Sequence, residues 1–285
     1  MKPAPFEYVR ARTLDEALAA LDADSKILAG GQSLVPMLNM RLARPARLVD
    51  INAIPGLDAV RARPDGGLDV GALTRHTELL TTPLVRERAP LLAAAAAHVG
   101  HRAIRNRGTV GGSLAHADPA AELPAALLAL DASVVIAGRD ARRHLPLAEF
   151  FVGLLTTALA PDEILVGIEI PGPAAGGWGF AELARRAGDF AIAGVAGLIR
   201  VEHDRCADAR LVAFGADDRP VRLRAAESAA IGRSLGSDIA SRAAAQAAVD
   251  CHPPDDVHAS AEYRRHLVGV LTEQALRDAL ARVSG

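Results

Sequence analysis

The sequence holds two cysteines, Cys206 and Cys251, and nowhere a Cys-x-x-Cys pair. A cluster of the iron–sulfur type needs four thiolates, so this chain is not expected to carry one alone. With so few, the pair reads as free thiols of a reducing compartment rather than as a disulfide framework. Aromatic residues make up 3% of the chain, which argues against the base-stacking platforms of single-strand binders. Excess charge of one sign is missing too. Lys plus Arg number 32 against 34 Asp plus Glu, a formal net charge of −2, and the arginines are spread along the chain. No nucleic-acid partner is expected. The longest apolar stretches, around residues 91–99 and 123–130, fall short of the roughly 20 residues that span a bilayer. The opening MKPAPFEYVRARTLDEA has no apolar signal-peptide core, and a cytoplasmic protein is expected.

What is present suits a soluble globular protein of one or two domains: 285 residues, half of them hydrophobic. A short strand is expected at 6–9. A Thr13-x-x-Glu16 capping box then opens a helix to about residue 21. A strand at 26–29 runs into Gly30-Gly31, a helical turn is expected to start at Pro36 and cover 37–42, and a strand follows at 47–51. This βαβ-like unit could form a subdomain of about 55 residues. Beyond it, strands are expected at 68–73, 133–137, 143–147 and 163–170, with helices at 77–80, 90–98 and 123–130. The stretch PGPAAGGWG, residues 171–179, is rich in turn formers and reads as a linker. After it come three successive strands, 180–185, 192–201 and 210–214, then 221–223 and Ala-rich helices near 237–249 and 261–282. Strands followed by helices indicate an α+β C-terminal unit with a three-stranded antiparallel sheet. The expected domains are therefore 1–176, divided into subdomains of about 1–55 and 56–176, and 177–285.

Chemistry concentrates in two stretches. Residues 106–124 read NRGTVGGSLAHADPAAELP, and residues 28–36 read LAGGQSLVP. Each places a glycine pair beside hydroxyl or amide side chains, a composition suited to cradling a phosphate with backbone N–H groups. Two such loops suggest a dinucleotide gripped from two sides. Neither G-x-G-x-x-G nor the P-loop motif is present, so the common nucleotide folds lose their main support. His98 and His101 lack a third zinc ligand nearby, and His116 with Asp118 fits no metal spacing. Ser113 is not in a G-x-S-x-G elbow. Arg185-Arg186 with Asp189 is open to two readings, a surface ion-pair cluster or a set of anion contacts. No metal site is expected and no catalytic acid or base stands out.

The segments AGGQSLVPMLNMRLARP (29–45), LVDIN (48–52), IRNRGTVGGSLAHADPAAELPA (104–125) and RRAGDFA (185–191) closely resemble the FAD-binding medium subunits of molybdenum hydroxylases. These belong with the xanthine dehydrogenase and aerobic carbon monoxide dehydrogenase family. The resemblance implies an α/β fold of the vanillyl-alcohol oxidase type, with FAD between two subdomains and a small C-terminal α+β domain. It matches Ala29, Gly30, Gly31, Gln32, Ser33 and Leu34 to a first FAD pyrophosphate loop, and Thr109, Gly111, Gly112 and Ser113 to a second. Asp118 and Glu122 fall in the acidic part of that motif, Glu122 at a carboxylate associated with the ribityl or ribose region. Leu165 matches a position whose backbone meets the adenine side. Asp189 and Phe190 fall in the loop that approaches the isoalloxazine. Several relatives carry a Lys where this chain has Glu182, and a cation near the ring would stabilise the reduced, anionic flavin.

The implied role is electron transfer. A molybdopterin-binding large subunit hydroxylates the substrate, two [2Fe–2S] clusters on a small subunit carry the electrons, and FAD on this chain passes them to NAD, a quinone or oxygen. A dimer of heterotrimers is implied, without transmembrane segment, and a quinone acceptor would place it at the inner face of the membrane. The alternatives are a stand-alone FAD oxidoreductase acting on its own substrate, and a non-enzymatic assembly protein that keeps the fold without flavin.

Overall fold

In the computed structural model, residues 2–172, 176–236 and 238–283 are described. The chain builds three main sheets. The first is parallel and uses β1 (Glu7–Arg10), β2 (Ser25–Leu28) and β3 (Arg47–Asp50) in the order β1-β3-β2. Parallel neighbours need crossovers, and α1 (Leu14–Ala19) and α2 (Leu34–Asn39) supply them. Thr13 caps α1 as expected, its Oγ1 accepting from the Glu16 amide at 3.1 Å. Glu16 reaches back one residue further than a standard box, to the Arg12 amide at 2.7 Å. α2 begins two residues before Pro36, the expected start. Pro36 is its third residue, where the missing N–H has no intrahelical acceptor to lose.

The second sheet is antiparallel and five-stranded, in the order β4-β5-β10-β6-β7. It comprises β4 (Val60–Ala62), β5 (Leu68–Gly71), β6 (Ser133–Ala137), β7 (Arg142–Pro146) and β10 (Ile164–Ile170). Between β5 and β6 lie α3 (His76–Thr81), α4 (Pro83–Arg88), α5 (Pro90–His98), α6 (Arg102–Arg105), α7 (Val110–His116) and α8 (Glu122–Ala129). Every residue of α8 is buried, and each fully buried leucine there contributes about 1.5–3 kcal/mol. After β7 come α9 (Leu147–Phe150) and a hairpin of β8 (Phe151–Gly153) and β9 (Thr156–Thr157).

The C-terminal sheet contains β11 (Gly176–Ala184), β12 (Ala191–Glu202), β13 (Arg205–Phe214) and β14 (Val221–Arg222), all antiparallel. The two-residue β14 extends the three expected strands to four. α10 (Arg224–Ala230), α11 (Asp238–Gln246) and α12 (Ala261–Val283) follow. Of the expected linker, residues 173–175 lie outside the described residues, as does Ser237 at the head of an expected helix. Residues 176–179 of that linker are strand, the start of β11. A Cβ on Gly179 would overlap the Ala275 carbonyl of α12, so this glycine lets a helix backbone lie directly on β11.

One core joins the second sheet to the third. Leu123 and Leu127 of α8 share a cluster with Ala196 of β12 and with Val212 and Phe214 of β13. The junction between the second and third sheets is therefore packed.

Candidate functional site

The first glycine segment leaves β2 at Leu28 and turns at Gly31, whose φ of +72° is a left-handed conformation that glycine adopts without cost. Among the described residues, the amides of Gly31, Gln32 and Ser33 have no hydrogen-bond acceptor. The Gln32 side chain braces the turn by donating from Nε2 to the Gly30 carbonyl at 3.1 Å. Ser33 precedes α2 without capping it, so its hydroxyl is uncommitted. The turn thus offers a run of unclaimed donors, the arrangement that binds anionic oxygens. Leu34 is the first residue of α2.

The second segment is not the loop its glycines suggest. Thr109 caps α7, its Oγ1 accepting from the Gly112 amide at 3.1 Å. Gly111 donates to the Ala72 carbonyl at 2.9 Å, and Ser113 to the Thr109 carbonyl at 3.0 Å. These amides are spent on the fold. The β-branched Thr109 cap and the contact with β5 outweigh the weak helix propensity of the glycine pair. Gly111 is tight for packing reasons, since a Cβ there would meet Ala72 and lie 2.8 Å from the buried Leu165 side chain. Gly112 is different. Beyond its own cap residue, the nearest atom to an added Cβ is the Cβ of Ala29, 4.0 Å away. The Ser113 hydroxyl has no partner among the described residues.

The two segments are held edge to edge. A Cβ on Gly30 would overlap the Arg107 carbonyl and lie 2.8 Å from Gly108 Cα. The Arg75 guanidinium donates to the Arg107 carbonyl and, at 2.7 Å, to Asn52 Oδ1. Asn52 Nδ2 donates to the Ala29 carbonyl at 2.9 Å and to Asp50 Oδ1 at 2.6 Å, and Tyr8 donates to Asp50 Oδ2 at 2.5 Å. Burial works to raise the Asp50 carboxyl, but the donors from Tyr8 and Asn52 outweigh it and hold it below the usual carboxylate range. This Tyr8–Asp50–Asn52–Arg75 line links the first sheet to the second, and neither Arg75 nor the buried His76 was singled out from sequence. His76 lies under Gly108, burial pushes it down to about 4, and among the described residues neither ring nitrogen has a partner. No motif marks either residue. Their positions become meaningful only once β5 meets residues 107–109.

The carboxylates sit on the side toward the third sheet. Asp118 Oδ1 accepts from the Ala120 amide at 2.9 Å in the turn before α8. Glu122 opens α8 and is 7% exposed. Burial, reinforced by the Glu182 carboxylate, pushes its pKa up to about 7 against the opposing pull of His98. Asp189 and Phe190 lie in the exposed turn between β11 and β12, with Phe190 71% exposed. That turn packs on the α5–α6 junction, because a Cβ on Gly188 would lie 2.9 Å from both the Gly100 carbonyl and His101 Nδ1. Arg186 and Asp189 are joined within the turn by the Asp189 amide donating to the Arg186 carbonyl at 3.1 Å. His116 ends α7, half-buried. Cys206 and Cys251 are separate buried thiols, both pushed up by burial, to about 11 and about 12.

Comparison with known proteins places these segments in a common frame. Residues 4–173 match the family described as the FAD binding domain in molybdopterin dehydrogenase, and residues 178–279 match the CO dehydrogenase flavoprotein C-terminal domain. The chain is 45% identical to the 6-hydroxypseudooxynicotine dehydrogenase complex subunit alpha of Paenarthrobacter nicotinovorans, over 99% of this chain and 97% of that one. Among solved structures, carbon monoxide dehydrogenase from Hydrogenophaga pseudoflava superposes with a TM-score of 0.96 at 37% identity, covering 99% of each chain. Quinoline 2-oxidoreductase from Pseudomonas putida 86 gives 0.95 at 36% identity, covering 100% of each.

Proposed function

Because the chain belongs to the FAD-binding medium subunits of the molybdenum hydroxylases, we propose that it relays electrons from partner subunits to an external acceptor. In this reading substrate is hydroxylated at a molybdopterin centre on a large subunit. The electrons then cross two [2Fe–2S] clusters on a small subunit, and the complex is a dimer of heterotrimers. NAD, a quinone or oxygen takes them last. The cytoplasm goes with this reading, and no helix among the described residues is long and apolar enough to cross a membrane. Relatives named as a complex subunit and as medium chains support the partners.

When bound, FAD supplies a ring that exchanges electrons singly with iron–sulfur clusters and in pairs with an acceptor. The residues present fit it. The unclaimed amides of Gly31, Gln32 and Ser33 hold the pyrophosphate without Lys or Arg, and Ala29 and Leu34 frame them. Gly112 leaves room opposite, between the Thr109 cap and the free Ser113 hydroxyl, while Gly30 and Gly111 let the backbones close up. Glu122, with Asp118 ahead of it, accepts hydroxyls of the ribityl or ribose region. The Leu165 backbone borders the adenine side, and Asp189 and Phe190 border the ring. The chain then divides near residue 176 into an FAD-binding domain, with subdomains of about 1–55 and 56–176, and a C-terminal domain, 177–285. This division is supported by the separate sheets.

The observation that carries this reading is the donor run at 31–33 on a segment held against the second one, with Gly30 on Arg107 and Gly108, and Ala29 Cβ 4.0 Å from a Cβ added at Gly112. Purification of the chain alone tests it. The expected product is yellow, with a flavin that dithionite reduces, and inert toward aldehydes and N-heterocycles until the partner subunits are added. A colourless protein that refuses FAD would overturn the reading, and turnover of a substrate by the isolated chain would favour a stand-alone oxidoreductase.

A further inference from the structure

Glu182 lies on β11 with its side chain only 6% exposed. Its Oε1 is 3.0 Å from His98 Nδ1, and its Oε2 is buried with no partner among the described residues. His98 is the last residue of α5, where the helix dipole favours a cation. Its ring packs on Phe180 at 4.9 Å, and its side chain is 43% exposed. His98 and Glu182 both line an open cavity of about 420 Å³, lined also by His101, Arg102, Arg105 and Gly188. Arg105 is committed to the α5 end, donating to the Gly100 carbonyl at 2.7 Å and the Val99 carbonyl at 3.0 Å. A carboxylate placed dry against a cavity wall costs several kcal/mol unless a positive partner neutralises it. His98 is the group in contact.

We propose that Glu182 is a positioning residue that keeps His98 in its imidazolium form at the cavity wall, so that the wall carries a cation whose presence depends on pH and tunes the bound flavin. The proposal rests on the reading that the turn at 185–190 borders the flavin ring. Glu182 from β11 holds His98 above the ordinary histidine range against the opposing effect of burial, and Glu122 from α8 adds to it. Glu122 is itself a carboxylic acid poised near neutrality, raised by burial and then by Glu182 and Asp118. Below its titration the His98–Glu182 pair is neutral. Above it the Glu182 charge is no longer offset by His98 while the Arg102 and Arg105 cations stay as they were, so the wall is one positive charge poorer and less favourable to electrons on the ring. No bond is made or broken by the pair. It exchanges one proton with solvent through the exposed half of the imidazole.

Two measurements separate this proposal from the reading it rests on. The first needs no flavin: histidine ring resonances are followed by NMR against pH in the cofactor-free chain. His98 is expected to titrate above 6.5, and in E182Q its midpoint should fall. An unchanged His98 titration in E182Q overturns the proposal whether or not FAD binds. The second is the flavin midpoint potential from pH 6 to 9 in wild type, H98Q and H98K. H98Q should lie lower at pH 6 by about 30 mV, the equivalent of a tenfold change in a two-electron equilibrium, and merge with wild type at pH 9. H98K should stay above wild type at pH 9. Parallel potential curves in all three would overturn the role at the flavin. Failure to bind FAD would overturn the functional reading instead, with the NMR result still standing. Thermal unfolding of each variant checks that its fold is intact.

Discussion

At the scale of single residues, charge burial and close glycine contacts make opposite demands. Glu122 has its folded pKa raised to about 7 from 4.5, so between these pH values the native chain holds more protons than the unfolded one. Stability then falls as pH rises through that window, by roughly 3 kcal/mol for a shift of this size. E122Q is expected to flatten that slope and to be more stable than wild type at pH 8, as read by urea unfolding at pH 5 and pH 8. An equally steep slope in the variant would refute the assignment. The glycines divide in the same concrete way. A Cβ on Gly30 would strike backbone at Arg107 and Gly108, so G30A should force the two segments apart, at a cost of about 1–3 kcal/mol. At Gly112 an added Cβ displaces chiefly the Thr109 hydroxyl, a lost cap of about 1 kcal/mol. G112A should therefore fold but bind FAD at least tenfold more weakly, measured by flavin fluorescence quenching.

Among elements, α12 binds the C-terminal sheet to its loops through one buried cation. Arg264 is 5% exposed and donates to the Ile192 carbonyl and, at 2.8 Å, to the Gly215 carbonyl. Its other arm meets Asp256 at 2.6 Å, and the Arg264 partner holds that carboxyl down at about 2. R264A leaves two carbonyls and a carboxylate without their donor. The expected loss is roughly 2–4 kcal/mol in chemical denaturation, while R264K should recover part of it. α7 teaches a related lesson. Its glycines read as a loop, and it is helical because Thr109 caps it and because the Val110 and Gly111 amides find the Thr74 and Ala72 carbonyls. Those bonds are tertiary.

For the whole molecule, the packed junction between the second and third sheets means that FAD should act on one cooperative unit. A ligand that binds only the folded chain adds about 2.7 kcal/mol at one hundred times its dissociation constant. Added FAD is expected to raise the melting temperature in a single transition reported alike by Trp178 fluorescence and by circular dichroism. Two separated transitions, with only the first moved by FAD, would show that the sheets unfold independently despite the shared core of α8, β12 and β13.

The chain by itself determined the nature of the cofactor and the order of the fold. Short-range signals suffice for a Thr13 cap, for strands such as 47–51 and 163–170, and for glycine pairs flanked by hydroxyls, because each depends on neighbours a few residues away. The tertiary structure alone decided what those glycines do. Residues far apart in the chain had to meet before Gly112 could be told from Gly111, one meeting little beyond its own Thr109 cap and the other pressed against Ala72. The linker-like Gly176–Gly179 became a strand because α12, nearly a hundred residues later, lies on it. His98 and Glu182, which nothing in the sequence pairs, acquire their joint chemistry only when β11 buries one carboxylate against the end of α5. Burial is a property of the assembled fold, and it turns a surface-type glutamate into a group that requires a proton-bearing partner.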